Sequence, residues 1–292
     1  MIIILFGGYL GNHMFQYALG RHLSILNNQP LFLNSTRYGS YNNMGRSFNL
    51  DKFNISGTFV NHDFLENFSK KYRSYFEKKV FSRISVFKKK YYKHTYITEP
   101  AENNQKFDPM MLSYPLKNVH IRGFWQSEKY FQDIKDIIIK DLQVITPINE
   151  QNQKHLNNIK STNSISLHFR ITDNVNSSAG KLSHEYYRKA IKIISKKVAN
   201  PTFYIFSDNI DWIKKNFFLD CPVYYIENNP DYEDMRLMSN CKYHIIANST
   251  FSWWGAWLST NPDKIVIAPE KFSQKMDKIN PDYYPESWIL IK

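Results

Sequence analysis

Three short polar clusters hold the residue types that would grip an anion: His168-Phe169-Arg170-Ile171-Thr172-Asp173, Ser207-Asp208-Asn209 and Asn248-Ser249-Thr250-Phe251-Ser252. A guanidinium binds two phosphate oxygens through parallel charge-assisted hydrogen bonds, and a carboxylate accepts the paired N–H donors of a guanine edge. Hydroxyls and free backbone N–H groups at the start of a helix add a positive end that suits the same anion. Each cluster also has a plainer structural explanation: an Arg170–Asp173 ion pair, a helix cap at Asp208, and a Ser/Thr cap after Asn248. Three such clusters at strand ends favour a nucleoside diphosphate.

The elements that must position these clusters follow from the apolar pattern. The run Tyr243-His244-Ile245-Ile246-Ala247 is short, apolar and β-branched, which fits a buried strand. Polarity then flips at Asn248, and an amphipathic helix is expected over 253–258. The whole second half alternates in this way. Strands are expected over 165–170, 202–207, 223–226, 243–247 and 264–268, with helices over 184–199, 211–217, 232–240 and 251–259. That alternation predicts a doubly wound parallel sheet with all three clusters on one edge.

The first half opens as a βαβ unit. An apolar strand over 2–6 enters the turn Gly7-Gly8-Tyr9-Leu10-Gly11-Asn12, and Met14, Tyr17, Ala18, Arg21, His22 and Ile25 then keep helical spacing. Asn12 is placed to cap that helix, residues 27–30 end it, and a strand over 31–33 follows. The glycines permit close approach of a ligand, but their spacing is not GxGxxG and no acidic residue follows the second strand, which disfavours a nicotinamide enzyme. A strand over 119–125 and a helix over 128–141 come next, and the polar stretch 146–163 reads as a hinge. Two α/β domains, 1–150 and 160–292, with a cleft between them, are expected.

Composition narrows the classes. A chain of 292 residues that is 42% apolar can bury a sizeable core. Cys221 and Cys241 are too few for a disulfide scaffold and lack metal-ligand spacing, so a metal-free protein of a reducing compartment is expected. The net charge of +12 is concentrated in 69–94, where lysines and arginines alternate with tyrosines and phenylalanines. A solvated helical face explains that stretch, and contact with nucleic acid or an anionic membrane surface would use the same residues. No apolar run reaches the ~20 residues that span a bilayer, and residues 1–6 lack a charged leader.

Several motifs then carry a family resemblance. GGYLGNHMFQYALG at 7–20, GFWQSEKYF at 123–131 and DMRLMSNCKYHIIANSTFSWWGAWL at 234–258, together with Phe206-Ser207-Asp208 and the terminal Trp288-Ile289, resemble the signatures of α-1,2-fucosyltransferases. The resemblance implies two Rossmann-like domains of glycosyltransferase B type facing a cleft. It implies GDP-β-L-fucose as donor, no metal or cofactor, and inversion to an α-fucoside on the 2-hydroxyl of a galactose. The carboxyl-terminal domain would hold the donor and the amino-terminal domain the acceptor, beside Trp125 and Glu128.

By the same resemblance, Arg170 and the turn Asn248, Ser249, Thr250, Phe251 and Ser252 would hold the diphosphate, His168 the ribose or pyrophosphate, and Asp208 the guanine. Gly11 and Asn12 would approach the sugar end from the other domain. The chain departs from the pattern at Ile171, where a second arginine is usual, at His13, where glutamine is usual, and in an inserted tyrosine, Tyr9 or its neighbour. Breaking the fucosyl C1–O bond builds negative charge on GDP, so fixed donors on the β-phosphate act where charge develops. Arg170, Asn12 and Asp173 are the catalytic candidates. Asp173, Glu128 and Glu185 are the candidates for the base on the acceptor hydroxyl. The expected setting is a cytoplasmic bacterial enzyme of O-antigen or capsule synthesis that takes an oligosaccharide or lipid-linked acceptor, with 69–94 against the inner membrane face and no nucleic-acid partner. Another GDP-sugar, such as GDP-mannose, and a sugar-nucleotide binder without turnover stay open.

Overall fold

The computed structural model describes residues 1–38, 47–72, 95–100, 106–113, 115–171, 182–272 and 280–292. Most of the basic-aromatic stretch, 73–94, and Asp173 lie outside the described residues. The chain forms two compact units, one of Met1–Leu142 with Asn280–Tyr283, the other of Gln143–Ile279 with Tyr284–Lys292.

In the first unit, strands β1 (Ile2–Leu5), β2 (Leu31–Asn34), β3 (Thr58–Phe59), β4 (Tyr96–Thr98) and β5 (Val119–Arg122) form a parallel sheet in the order β3-β2-β1-β5-β4. The all-apolar β1 takes the centre, as a strand covered on both faces requires. The helix Leu10–Leu26 packs on it so closely at Gly20 that a Cβ there would collide with Ile4. Its N-cap is Tyr9, which makes no side-chain capping bond, so the expectation that Asn12 caps the helix is corrected. Asn12 lies inside the first turn instead.

The expected helix over 128–141 is also broken. Two 3-10 turns, Glu128–Tyr130 and Gln132–Ile134, precede a short α-helix, Lys135–Asp141. Phe131 leaves the helical region at φ −150°, and the consecutive rings of Tyr130 and Phe131 are both buried. A regular helix would turn adjacent side chains about 100° apart, so one ring would face water.

The second unit carries β6 (Asn163–Phe169), β7 (Pro201–Ser207), β8 (Val223–Tyr225), β9 (Tyr243–Ile245), β10 (Val266–Pro269) and β11 (Ile289–Ile291). They form a parallel sheet in the order β11-β10-β9-β6-β7-β8. The chain winds from β6 to β7 and β8 on one side, then crosses to β9 on the other. The carboxyl ends of β6 and β9 therefore flank the topological switch point, where open α/β sheets bind ligands.

The polar stretch 146–163 is not a hinge loop. It holds the helix Glu150–Ser161, capped by the Asn149 side chain on the N–H of Asn152 at 2.8 Å, and Asn152 and Ile159 are buried one face apart from the exposed amides. The helix Thr250–Trp257 is buried all round rather than amphipathic, with Trp253, Trp254, Ala256 and Trp257 in the core. Gly255 lets it lie against Met238 of the helix Asp231–Asn240, since a Cβ at Gly255 would collide with the Met238 side chain. At its carboxyl end the Lys264 ammonium donates to the carbonyls of Ala256, Trp257 and Ser259 at 3.0, 3.0 and 2.9 Å, where a cation suits the helix dipole.

Candidate active site

At the end of β6, side-chain alternation sets the two faces of the site. Phe169 packs into the core against Tyr187, 4.1 Å between ring centroids, and Ile171 joins the same core cluster. His168 is turned the other way and lies beside Phe251, 5.7 Å between rings. It is 3% exposed, and its Nδ1 has no hydrogen-bond partner among the described residues. Burial, and then the nearby Arg170 charge, push its pKa down to about 3, so the ring is neutral at pH 7.

Arg170 and Asp208 meet at the ends of β6 and β7. The guanidinium Nε is 4.0 Å from Asp208 Oδ2, and both side chains are largely buried, at 15% and 12% exposure. Asp208 Oδ1 accepts the backbone N–H of Ile171 at 2.7 Å. Asp208 is not the cap of the next helix; that is Asn209, whose side chain accepts the N–H of Trp212 at 3.0 Å.

Across the switch point, Ser249 caps the helix Thr250–Trp257 by accepting the N–H of Phe251 at 3.2 Å. The Ser252 hydroxyl is buried and donates to the carbonyls of Ala247 at 3.1 Å and Ser249 at 3.2 Å, so it shapes the turn from beneath. Asn248 is buried, while Ser249, Thr250 and Phe251 keep part of their surface in solvent. His168, Arg170 and Asp208 thus cluster on one side of the switch point and the Asn248–Ser252 turn on the other.

A further carboxyl escaped sequence reasoning. Asp234, in the first turn of the helix Asp231–Asn240, accepts from Asn229 Nδ2 at 3.1 Å. Burial raises its pKa to about 7, and the neighbouring Asp231 and Glu233 add to the rise. Its position in a run of acids before an apolar segment reads only as ordinary first-turn acids. Glu233 beside it is held by Arg236 at 3.0 Å. A cavity of about 530 Å3 opens beside the ends of β10 and β11, bounded by Leu182, Ser183, Tyr186 and Lys271, and none of the described candidate site residues lines it.

In the first unit the glycine turn is tied to the loop after β5. Gln16 takes the N–H of Gly7 at 3.1 Å and donates to the carbonyl of Gly123 at 2.7 Å. Gln126 Nε2 donates to Asn12 Oδ1 at 2.8 Å. His13 is buried, its pKa lowered to about 4, with its Nε2 3.0 Å from the Tyr38 hydroxyl, which donates to the Gly8 carbonyl at 2.7 Å. Gly11 is buried in the first helical turn. Trp125 is buried with its ring edge-on to Tyr130 at 5.6 Å, so its faces are committed to the core. Glu128 opens the 3-10 turn capped by Ser127, and Glu185 is exposed in the first turn of the helix His184–Ser195.

Glu99 was also missed; its carboxylate accepts the N–H groups of Phe124 at 2.6 Å and Trp125 at 3.1 Å and fixes the loop after β5. Among the described residues no group of three or more His, Cys, Asp or Glu is placed to hold a metal ion, and no helix is long and apolar enough to cross a membrane.

Comparison with known proteins gives the chain's family and fold. An α-1,2-colitosyltransferase of Escherichia coli is 36% identical over 309 residues, covering 100% of this chain and 99% of that protein. The O-antigen biosynthesis glycosyltransferase WbnK of Escherichia coli is 33% identical over 315 residues, covering 97% of each. The crystal structure of NodZ alpha-1,6-fucosyltransferase soaked with GDP-fucose superposes with a TM-score of 0.51 at 12% identity over 88% of this chain and 91% of that one, a likeness of fold. The α/β fold is of glycosyltransferase B type. The model of glycosyl transferase family 11 matches residues 1–292, and the chain is a member of that family.

Proposed function

We propose that the chain is an inverting transferase that moves L-fucose from GDP-β-L-fucose to the 2-hydroxyl of a galactose in an oligosaccharide or lipid-linked surface glycan. The observation that carries this reading is the Arg170–Asp208 pair, largely buried at the carboxyl ends of β6 and β7 beside the switch point. A fixed guanidinium there suits the β-phosphate of a sugar nucleotide, and the Ser249-capped helix start adds backbone donors. Both would strengthen as GDP leaves, and both lower the barrier by meeting charge that develops in the transition state. His168, neutral and with a buried Nδ1 that has no partner among the described residues, is suited to a ribose hydroxyl. The acceptor hydroxyl needs a base; Glu128 and Glu185 are the described candidates, and Asp173 lies outside the described residues. Because Arg170 supplies the positive charge, turnover is expected to persist in a chelator.

A second reading has its own support in the colitosyltransferase relative: the same site would accept the nucleotide of another sugar, such as colitose. We place the chain in the cytoplasm of a bacterium, acting on O-antigen or capsule precursors, with 69–94 against anionic lipid. The deciding experiment incubates the purified chain with GDP-fucose and other GDP-sugars against a panel of galactosides, and reads linkage and anomeric form by NMR. An α-1,2-fucoside supports the first reading. Transfer only from another GDP-sugar replaces the donor, and GDP binding without transfer or donor hydrolysis reduces the chain to a binder.

A further inference from the structure

Asn12 offers a substrate either a carbonyl oxygen or an amide N–H2, two opposite chemistries on one side chain. Its neighbour selects between them. Gln126 Nε2 donates to Asn12 Oδ1 at 2.8 Å, which occupies the acceptor end. The donor end, Nδ2, lies over Gly8, where a Cβ would collide with it, and makes no hydrogen bond among the described residues.

Gln126 is itself tightly held. It is 4% exposed, and its backbone carbonyl accepts from Asn280 Nδ2 at 3.5 Å. The segment leading to it is clamped by hydrogen bonds: the Glu99 carboxylate accepts the N–H groups of Phe124 and Trp125 at 2.6 and 3.1 Å, and Gln16 donates to the carbonyl of Gly123 at 2.7 Å. A backbone anchored in this way keeps the buried Gln126 amide in place beside Asn12, where it can orient that side chain through a single hydrogen bond.

We propose that Gln126 is a positioning residue that fixes the polarity of Asn12, so that Asn12 meets the substrate as a hydrogen-bond donor to an oxygen lone pair. The inference deepens the transferase reading and rests on it for the identity of the substrate, but not for the polarity itself. A sugar oxygen and a phosphate oxygen are both acceptors of such a donor, and binding of GDP alone separates them.

The test uses two variants of one residue. Gln126→Glu replaces the donor with a carboxylate that only accepts, so it draws Asn12 Nδ2 towards itself and turns Oδ1 to the substrate. Gln126→Met removes the bond and leaves Asn12 free to choose. At about pH 8 the Glu variant is expected to lose about 100-fold in kcat, the scale of one misdirected donor, and the Met variant less than about tenfold. Acidification to about pH 6 protonates a fraction of the buried carboxyl, which then donates as glutamine does, so the gap between the two variants narrows. A Glu variant that turns over as fast as the Met variant at the higher pH overturns the proposal. Unchanged GDP affinity in both variants assigns the contact to a sugar oxygen, and a parallel loss assigns it to phosphate.

One arm does not need activity. In the labelled wild-type chain the Gln126 side-chain amide protons are expected to be protected from solvent exchange, and those of Asn12 to exchange readily. The reverse pattern overturns the proposal even in an active enzyme. An inactive wild-type chain with a protected Gln126 amide would sink the transferase reading and leave the polarity standing.

Discussion

The side chains of Arg170 and Asp208 meet across the carboxyl ends of neighbouring parallel strands, with 4.0 Å between Nε and Oδ2. The other oxygen of the same carboxylate holds the backbone N–H of Ile171 at 2.7 Å. Asp208 therefore steadies the segment after β6 through its main chain and faces the guanidinium with its charge. This double use suits a holder of Arg170, a different part from the guanine contact that the family resemblance implies.

The two uses separate in mutants. Asp208→Asn keeps an acceptor for Ile171 but loses the charge beside Arg170, whereas Asp208→Ala loses both and leaves a partly buried N–H unpaired, at a cost of about 1–3 kcal/mol. Denaturant unfolding is expected to show the larger loss for alanine, and turnover to fall in both. Neither variant should change the preference for GDP over IDP, which lacks the amino group a carboxylate would bind. Loss of that preference would return Asp208 to the guanine.

Gly8 is the second point of leverage. It sits at φ 85°, and a Cβ there would run into Asn12. Gly8→Ala should cost about 1–2 kcal/mol from the left-handed backbone alone, and the displaced Asn12 should lower kcat further. Thermal unfolding and turnover measured together check this; a destabilised variant with normal kcat would uncouple Asn12 from the reaction.

Asp234 predicts a pH dependence of stability. Its folded pKa, about 7, lies above the ordinary 3.8 of an aspartate, with burial as the main cause. Between those two values the unfolded chain has released the proton that the folded chain retains, so folding binds protons there. Stability is highest below the unfolded pKa, falls as pH rises through the folded one, and is level beyond it. Asp234→Asn should flatten this decline, visible as a Tm that changes less with pH than that of the wild type. An identical Tm profile would show that Asp234 is ionised throughout.

The sheet of the second unit was legible in the sequence because its strands are continuous apolar runs that end in abrupt polarity changes, as at Phe169 and Ala247. The same clarity placed His168, Arg170 and Asp208 on one edge. What was hidden had no local signature. β11 is only Ile289–Ile291, too short for a period, and is made a strand by pairing with β10. The helix Glu150–Ser161 reads as a polar linker because few of its residues are apolar, and Ile159 and Asn152 find their place only against the folded unit. The Gln126–Asn12 bond spans 114 residues, and Asp234 becomes unusual only once burial raises its pKa. Long-range contacts of this kind decide side-chain chemistry without leaving a pattern nearby.

The departure at Ile171 gives the last prediction, and it turns on what a guanidinium does that an ammonium does not. Arg170 lies beside the Asp208 carboxylate and would bind two phosphate oxygens through its planar fork. Arg170→Lys keeps the charge but loses that geometry. Since the contact gains strength as the phosphate leaves, the loss should fall on kcat, by about two to three powers of ten, with a smaller change in KM. Ile171 is 6% exposed and packs with Phe169 in the core, so a second arginine at this position has no room beside the first. Ile171→Arg should lower Tm without raising turnover, because it buries an unpaired charge. A near-normal kcat for Arg170→Lys, or an Ile171→Arg variant that folds well and turns over faster, would put a different side chain on the phosphate.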